Sequence, residues 1–139
     1  MLCTRSVTLP CGLKAMARKA LKNTSNLTSW KQDFVEGPIR QKLIECCEYK
    51  GKNRHSTVLM HVITSGVDAH CDGYSKSSFM IPAIMNKHWF FNYEGEAYRV
   101  RKNMEVGKCY RFNDHNRHSL DNSLGSFQTV IFTVHFEDK

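Results

Sequence analysis

From Ser56 to the carboxyl end, β-branched and aromatic residues come in short runs, interrupted every few positions by Gly, Asn or Asp. That texture is the signature of successive antiparallel strands and leaves no stretch for a long helix. The spacing predicts strands near Thr57 to Thr64, Ser78 to Met85, His88 to Tyr93, Ala97 to Lys102, Lys108 to Phe112, His118 to Asp121 and Phe127 to Phe136, with Arg5 to Leu9 as an eighth. Strands of this number and length close as a double-sheet jelly roll, which protects most of their edges. Within Ala97 to Lys102, Tyr98 and Val100 fall on one face and Arg99 and Arg101 on the other. Pro82 lacks the N–H that a ladder needs, so it predicts an edge position or a bulge.

The region 1–55 has a different pattern. Leu13, Met16, Ala17, Ala20 and Leu21 recur at helical spacing, with Lys14, Arg18, Lys19 and Lys22 on the remaining faces, so a basic amphipathic helix of about three turns is expected. Asn23 to Ser29 is a polar link, and Trp30 and Phe34 anchor a short segment of unassigned type. Gly37-Pro38 opens a second helix, because Pro suits the first helical turn, with Ile39, Leu43, Ile44 and Cys47 on its buried face and Gly51 as its end. At 139 residues the chain is read as a single domain, 1–139, with a helical part, 1–55, packed outside a jelly-roll core, 56–139.

Ser65 to Asp72, reading SGVDAHCD, places His70 and Asp72 one residue apart where an apolar run gives way to a Gly73-containing loop. An imidazole and a carboxylate on such a rigid support can share a divalent metal. A third donor is expected from His118, at the start of a later strand that a jelly roll brings beside the first. Two His and one carboxylate on one face leave coordination positions open for a cosubstrate, substrate or oxygen. A second triplet, His135-x-Glu137, has no downstream His to complete such a face. His61 lies in an apolar strand and reads as a hydrogen-bonded core residue. His115 sits in a turn-like stretch three positions before His118.

SGVDAHCDGY, followed by EVGKCYRFNDHNRHSLDNSLGSFQTVIFTVHF, resembles the aspartyl/asparaginyl β-hydroxylase branch of the Fe(II)/2-oxoglutarate-dependent oxygenases, within the cupin superfamily. Glu105, Gly107-Lys108, Phe112-Asn113-Asp114, His118, Asn122 and the final run Val130 to Phe136 match that branch's pattern. The resemblance covers roughly the last 80 residues and implies a mainly β, double-stranded β-helix fold. It also implies His70, Asp72 and His118 as iron ligands and 2-oxoglutarate as cosubstrate, with hydroxylation of a C–H bond as the reaction. Where the family usually carries an Arg for the far carboxylate of 2-oxoglutarate, about ten residues after the distal His, this chain has Gln128. The candidates for that contact are therefore Gln128 itself and the cations Lys87, Arg99, Arg101 and Arg111.

A net charge of +7, gathered in the region 5–54 and again at Arg99, Arg101, Lys102 and Lys108, suits an anionic partner such as an acidic peptide or nucleic acid. No apolar run approaches membrane-spanning length and no secretory leader is visible, so a soluble, cytoplasmic protein is expected. Its six cysteines, with no CxxC pair among them, are expected to be reduced. Two rival readings remain open from sequence. One is a non-catalytic cupin-like module for an anionic ligand or nucleic acid; the other is a metal-dependent cupin enzyme that needs no 2-oxoglutarate.

Overall fold

In the computed structural model, residues 2–24, 30–50, 55–73, 75–95, 97–125 and 128–137 are described. They form β1 (Cys3–Ser6), α1 (Leu13–Asn23), β2 (Trp30–Phe34), α2 (Gly37–Cys46), β3 (Ser56–Ile63), β4 (Gly66–His70), β5 (Ser77–Ile84), β6 (Trp89–Glu94), β7 (Arg99–Asn103), β8 (Lys108–Phe112), β9 (His118–Asn122) and β10 (Thr129–Phe136). All pairings are antiparallel, in a six-stranded sheet of order β1-β8-β5-β10-β3-β2 and a four-stranded sheet of order β4-β9-β6-β7. The two sheets roll into a double-stranded β-helix with the helices outside.

The larger sheet is covered on both faces, which explains why β10, mostly apolar, is buried at every position. Its Val130, Phe132, Val134 and Phe136 pack with Val58, Val62, Phe79 and Ile81 against the helices, where Leu13, Ala17 and Ala20 of α1 and Leu43 of α2 are buried. Those α1 positions recur every three or four residues and so share one face. The opposite face of the sheet, with Met80 and Ile131, meets Trp89, Phe91 and Tyr93 of the smaller sheet in a second, inner core.

Three strands differ from the expectation. β1 falls at Cys3–Ser6, shifted toward the start, where it pairs with β8. The unassigned Trp30–Phe34 segment is the edge strand β2, exposed at every position and held by its ladder with β3. Gly66–His70, to which the residue pattern assigned no strand, is a strand of its own. Gly66 makes the entry to it: φ is +122°, and a Cβ there would stand 2.5 Å from the Leu120 carbonyl oxygen, so only glycine lets β4 approach β9 this closely. Pro82 lies in β5, an interior strand, so the edge alternative is not realised. It lies opposite Ile131 at the register shift in the β5–β10 ladder and past Met80, where pairing with β8 ends, as the bulge alternative expects. Gly51, Asn26 and Phe127 lie outside the described residues.

Candidate metal centre

The β4–β9 ladder places His70 and His118 directly opposite one another, with ring centroids 4.5 Å apart. Asp72 follows two positions beyond His70, so an extended chain returns its side chain to the same face. Its carboxylate bridges the two rings, with Oδ1 3.2 Å from His70 Nε2 and Oδ2 3.2 Å from His118 Nε2. The three donor atoms chosen one per residue all lie within 4.8 Å of each other.

The remaining ring nitrogens fix the tautomers. His70 Nδ1 donates to the Asp68 carbonyl and His118 Nδ1 to the Asn116 carbonyl, each at 2.7 Å. A carbonyl only accepts, so each Nδ1 carries a proton and each ring turns its Nε2 toward the carboxylate. Burial pushes the pKa of His118 below the ordinary histidine value, and His70 pushes the same way, against the raising effects of the Asn116 carbonyl and Asp72. Both Nε2 atoms face the carboxylate at 3.2 Å, an arrangement in which the three side chains can share one cation. Donors on one face of an octahedron, each about 2.1 Å from an ion, stand about 3 Å apart, so the nitrogen-to-oxygen separations suit a divalent metal.

The supports come from both flanking loops. Tyr93 Oη accepts from the Asn113 N–H at 3.1 Å and from Asn116 Nδ2 at 2.8 Å, clamping the turn that leads into His118. The Asp72 N–H donates to the Asp114 carbonyl at 2.9 Å. Asp114 is fully buried, and its carboxylate accepts from the Ser75 N–H at 2.7 Å and from Ser78 Oγ at 3.1 Å, with His135 Nδ1 at 3.3 Å. The loop that carries Asp72 is thereby tied to the turn that carries His118.

The triad opens on a cavity of about 240 Å³ between the sheets, lined on the larger sheet by His61, Ile131, Thr133 and His135 and at its mouth by Trp30. Its described lining contains no Lys or Arg. Lys87 is exposed in the turn before β6. The Arg99 guanidinium lies 3.8 Å from Glu94, while Arg101 grips Asp121 at 2.7 and 2.9 Å and sits over the Phe90 ring. Arg111 lies 5.3 Å from the Tyr49 and Phe79 ring centres, and Gln128 donates to the Thr24 carbonyl at 2.9 Å. None of these five side chains lines the cavity, so the geometry brings together the three expected metal ligands but not the expected carboxylate contacts. His61, read as a core residue, is bonded to Thr133 and also lines the cavity. The inward parity of Thr133 and His135 in an otherwise apolar β10 is the signal that would have found them.

Burial holds the His61 pKa down at about 3, with His135 pushing the same way. The unfolded chain, with its ordinary value near 6.5, therefore binds a proton that the folded chain refuses between about pH 6.5 and pH 3. The neutral ring imposes no penalty above that window, and stability falls as the pH drops through it, by up to about 1.4 kcal/mol per pH unit. Denaturant titrations between pH 7 and 4 should show this slope, and His61→Gln should make it shallower.

No protein-family model matches the chain, and no curated protein matches it. Solved structures share its fold. A prolyl-4-hydroxylase of Pseudomonas putida superposes with a TM-score of 0.71 at 8% identity, covering 99% of this chain and 92% of the other. A Trichoplax adhaerens prolyl hydroxylase, in complex with a hypoxia inducible factor oxygen degradation domain peptide fragment, gives 0.72 at 12% identity, over 99% and 83%. The epimerase SnoN, in complex with Fe3+, alpha ketoglutarate and nogalamycin RO, gives 0.64 at 10% identity, over 99% and 78%. The chain is built on the double-stranded β-helix of these enzymes. Among the described residues, no helix is long and apolar enough to cross a membrane.

Proposed function

We propose that this protein is a non-haem Fe(II) oxygenase that uses 2-oxoglutarate to hydroxylate its substrate. The observation that carries the reading is the convergence of two imidazole nitrogens and one carboxylate at 3.2 Å beside a cavity, with each ring's other nitrogen fixed on a carbonyl. His70, Asp72 and His118 would hold the ion, leaving its other positions for the cosubstrate and oxygen. When bound, iron and 2-oxoglutarate supply the oxidising power; the protein's share is placement and exclusion of water. His118 and Asp114 hold the site rigid, and the apolar Ile131 and Phe91 keep the cavity dry.

The motif from Glu105 to Asn122 supports placement near the aspartyl/asparaginyl β-hydroxylase branch, and the +7 charge supports an anionic substrate such as an acidic peptide or nucleic acid. A cavity without Lys or Arg among its described lining favours one second reading, a metal-dependent cupin enzyme that dispenses with 2-oxoglutarate. Anaerobic addition of Fe(II) and then 2-oxoglutarate distinguishes the two. The oxygenase should develop a weak visible metal-to-ligand charge-transfer band, absent with either component alone. Folded, iron-loaded protein that stays colourless would exclude 2-oxoglutarate as a chelating cosubstrate.

A further inference from the structure

A row of polar side chains crosses the inner face of the larger sheet, opposite the triad. His61 Nε2 lies 2.7 Å from Thr133 Oγ1, which lies 2.9 Å from His135 Nε2; His135 Nδ1 lies 2.8 Å from Ser78 Oγ and 3.3 Å from Asp114 Oδ2. At the mouth, Trp30 Nε1 donates to His61 Nδ1 at 3.4 Å, and the two rings stack.

The protons in this row can be assigned. Ser78 Oγ donates to Asp114, so it accepts from His135, whose Nδ1 must carry a proton. An indole N–H only donates, so His61 Nδ1 bears a lone pair and its Nε2 carries the proton, which goes to Thr133 Oγ1. The Thr133 hydroxyl is then free to donate to His135 Nε2. In this pattern His135 Nε2 is the accepting atom at the end of the row. Titratable groups that face His135 include Asp114, from the turn before β9, and His61, from β3, beside the hydroxyls of Ser78 in β5 and Thr133 in β10. The Asp114 carboxylate stands 3.3 Å from His135 Nδ1, so positive charge entering the row is favoured on that ring.

This arrangement answers a charge problem that the cavity poses. A bound divalent ion would balance Asp72 and Asp114, and a dianionic acid then brings a far carboxylate with no Lys or Arg in the described lining to meet it. Resting on the oxygenase reading above, we propose that His135, backed by Asp114 and flanked by Thr133 and His61, is the carboxylate-binding element of the cavity in place of arginine, and that it takes up one proton as a 2-oxo dicarboxylate binds. The proton comes from solvent to His135 Nε2, making an imidazolium between two carboxylates. Thr133 turns its hydroxyl from His135 to the ligand, and His61 supports it through Nε2–H.

The test is calorimetry on the Fe(II)-loaded protein without oxygen at pH 8, in two buffers of different ionisation enthalpy, with 2-oxoglutarate and with pyruvate, which lacks the far carboxylate. 2-Oxoglutarate should bind at least about tenfold tighter than pyruvate, as one charge-assisted hydrogen bond implies, and should take up close to one proton that pyruvate does not. His135→Gln should lose both the preference and the uptake while keeping its metal and its pyruvate affinity. Should that variant fail to fold by circular dichroism, Thr133→Val, which spares the His135–Asp114 contact, should still lose most of the preference. Preference and uptake that persist in the folded variants would overturn the assignment and leave the oxygenase reading standing. Metal-loaded wild type that binds neither acid would overturn both.

Discussion

Replacing His118 by alanine is expected to abolish Fe(II) and Mn(II) binding, by more than about a hundredfold, since loss even of an outer partner of a metal ligand costs about 10 to 100-fold. His118 is 7% exposed and lies on an interior strand of its sheet, and among the described residues the donors gathered at this site are His70, Asp72 and His118. His70 and Asp72 alone would leave a two-donor site. The metal-free fold should lose little, within about 2 kcal/mol, because the ring removed borders a cavity already open in the fold. Asp72→Ala supplies the complementary measurement. Asp72 is exposed, so its removal should shift stability by no more than about 0.5 kcal/mol while weakening the metal. Equilibrium dialysis of both variants beside thermal melts checks this; unchanged metal affinity in Asp72→Ala would remove the carboxylate from the ligand set.

Much of this architecture can be read from residue pattern alone, and the exceptions share a cause. β3, β5, β6, β8, β9 and β10 each bury a face, so alternation or a continuous apolar run marks them. β2 buries nothing, and β4 offers only Val67 as a sizeable apolar side chain; both are strands because a neighbour pairs with them, which local composition does not encode. His70 and His118 were accessible because a jelly-roll topology forces their strands together. The polar row was not, because Thr133 looks like an ordinary strand residue until the fold sets it between two imidazoles drawn from different strands.

The arginines and Gln128 illustrate a second limit. Position after the distal His fixes distance along the chain but not which face of β10 a side chain occupies, and here the inward positions are Ile131, Thr133 and His135. Arg101 is satisfied on the outer face of the smaller sheet, where its guanidinium also holds the Asp121 carboxyl below the usual range. A cation already engaged in a two-pronged pair and stacked on Phe90 would have to give up both contacts to reach a ligand in the cavity.

Asp114→Ala should destabilise the protein by about 3 to 5 kcal/mol, the cost of removing one member of a buried charged network. The Ser75 N–H and Ser78 Oγ then lose the carboxylate they donate to, at fully buried positions, and His135 Nδ1 loses its anion. For a chain of this size the loss corresponds to roughly 10 to 20 °C in Tm. Asp114→Asn keeps one acceptor oxygen but turns an N–H toward groups that already donate, so about half the loss is expected. The effect should reach the metal as well, because Ser75 anchors the loop in which the Asp72 N–H is tied to the Asp114 carbonyl. Metal affinity in Asp114→Asn should fall about 10 to 100-fold, as for the loss of an outer partner of a ligand. Thermal melts and metal titrations on the same sample separate the two consequences. A large drop in Tm with unchanged metal affinity would show that Asp72 is placed by the end of β4 two residues before it rather than by the buried carboxylate behind it.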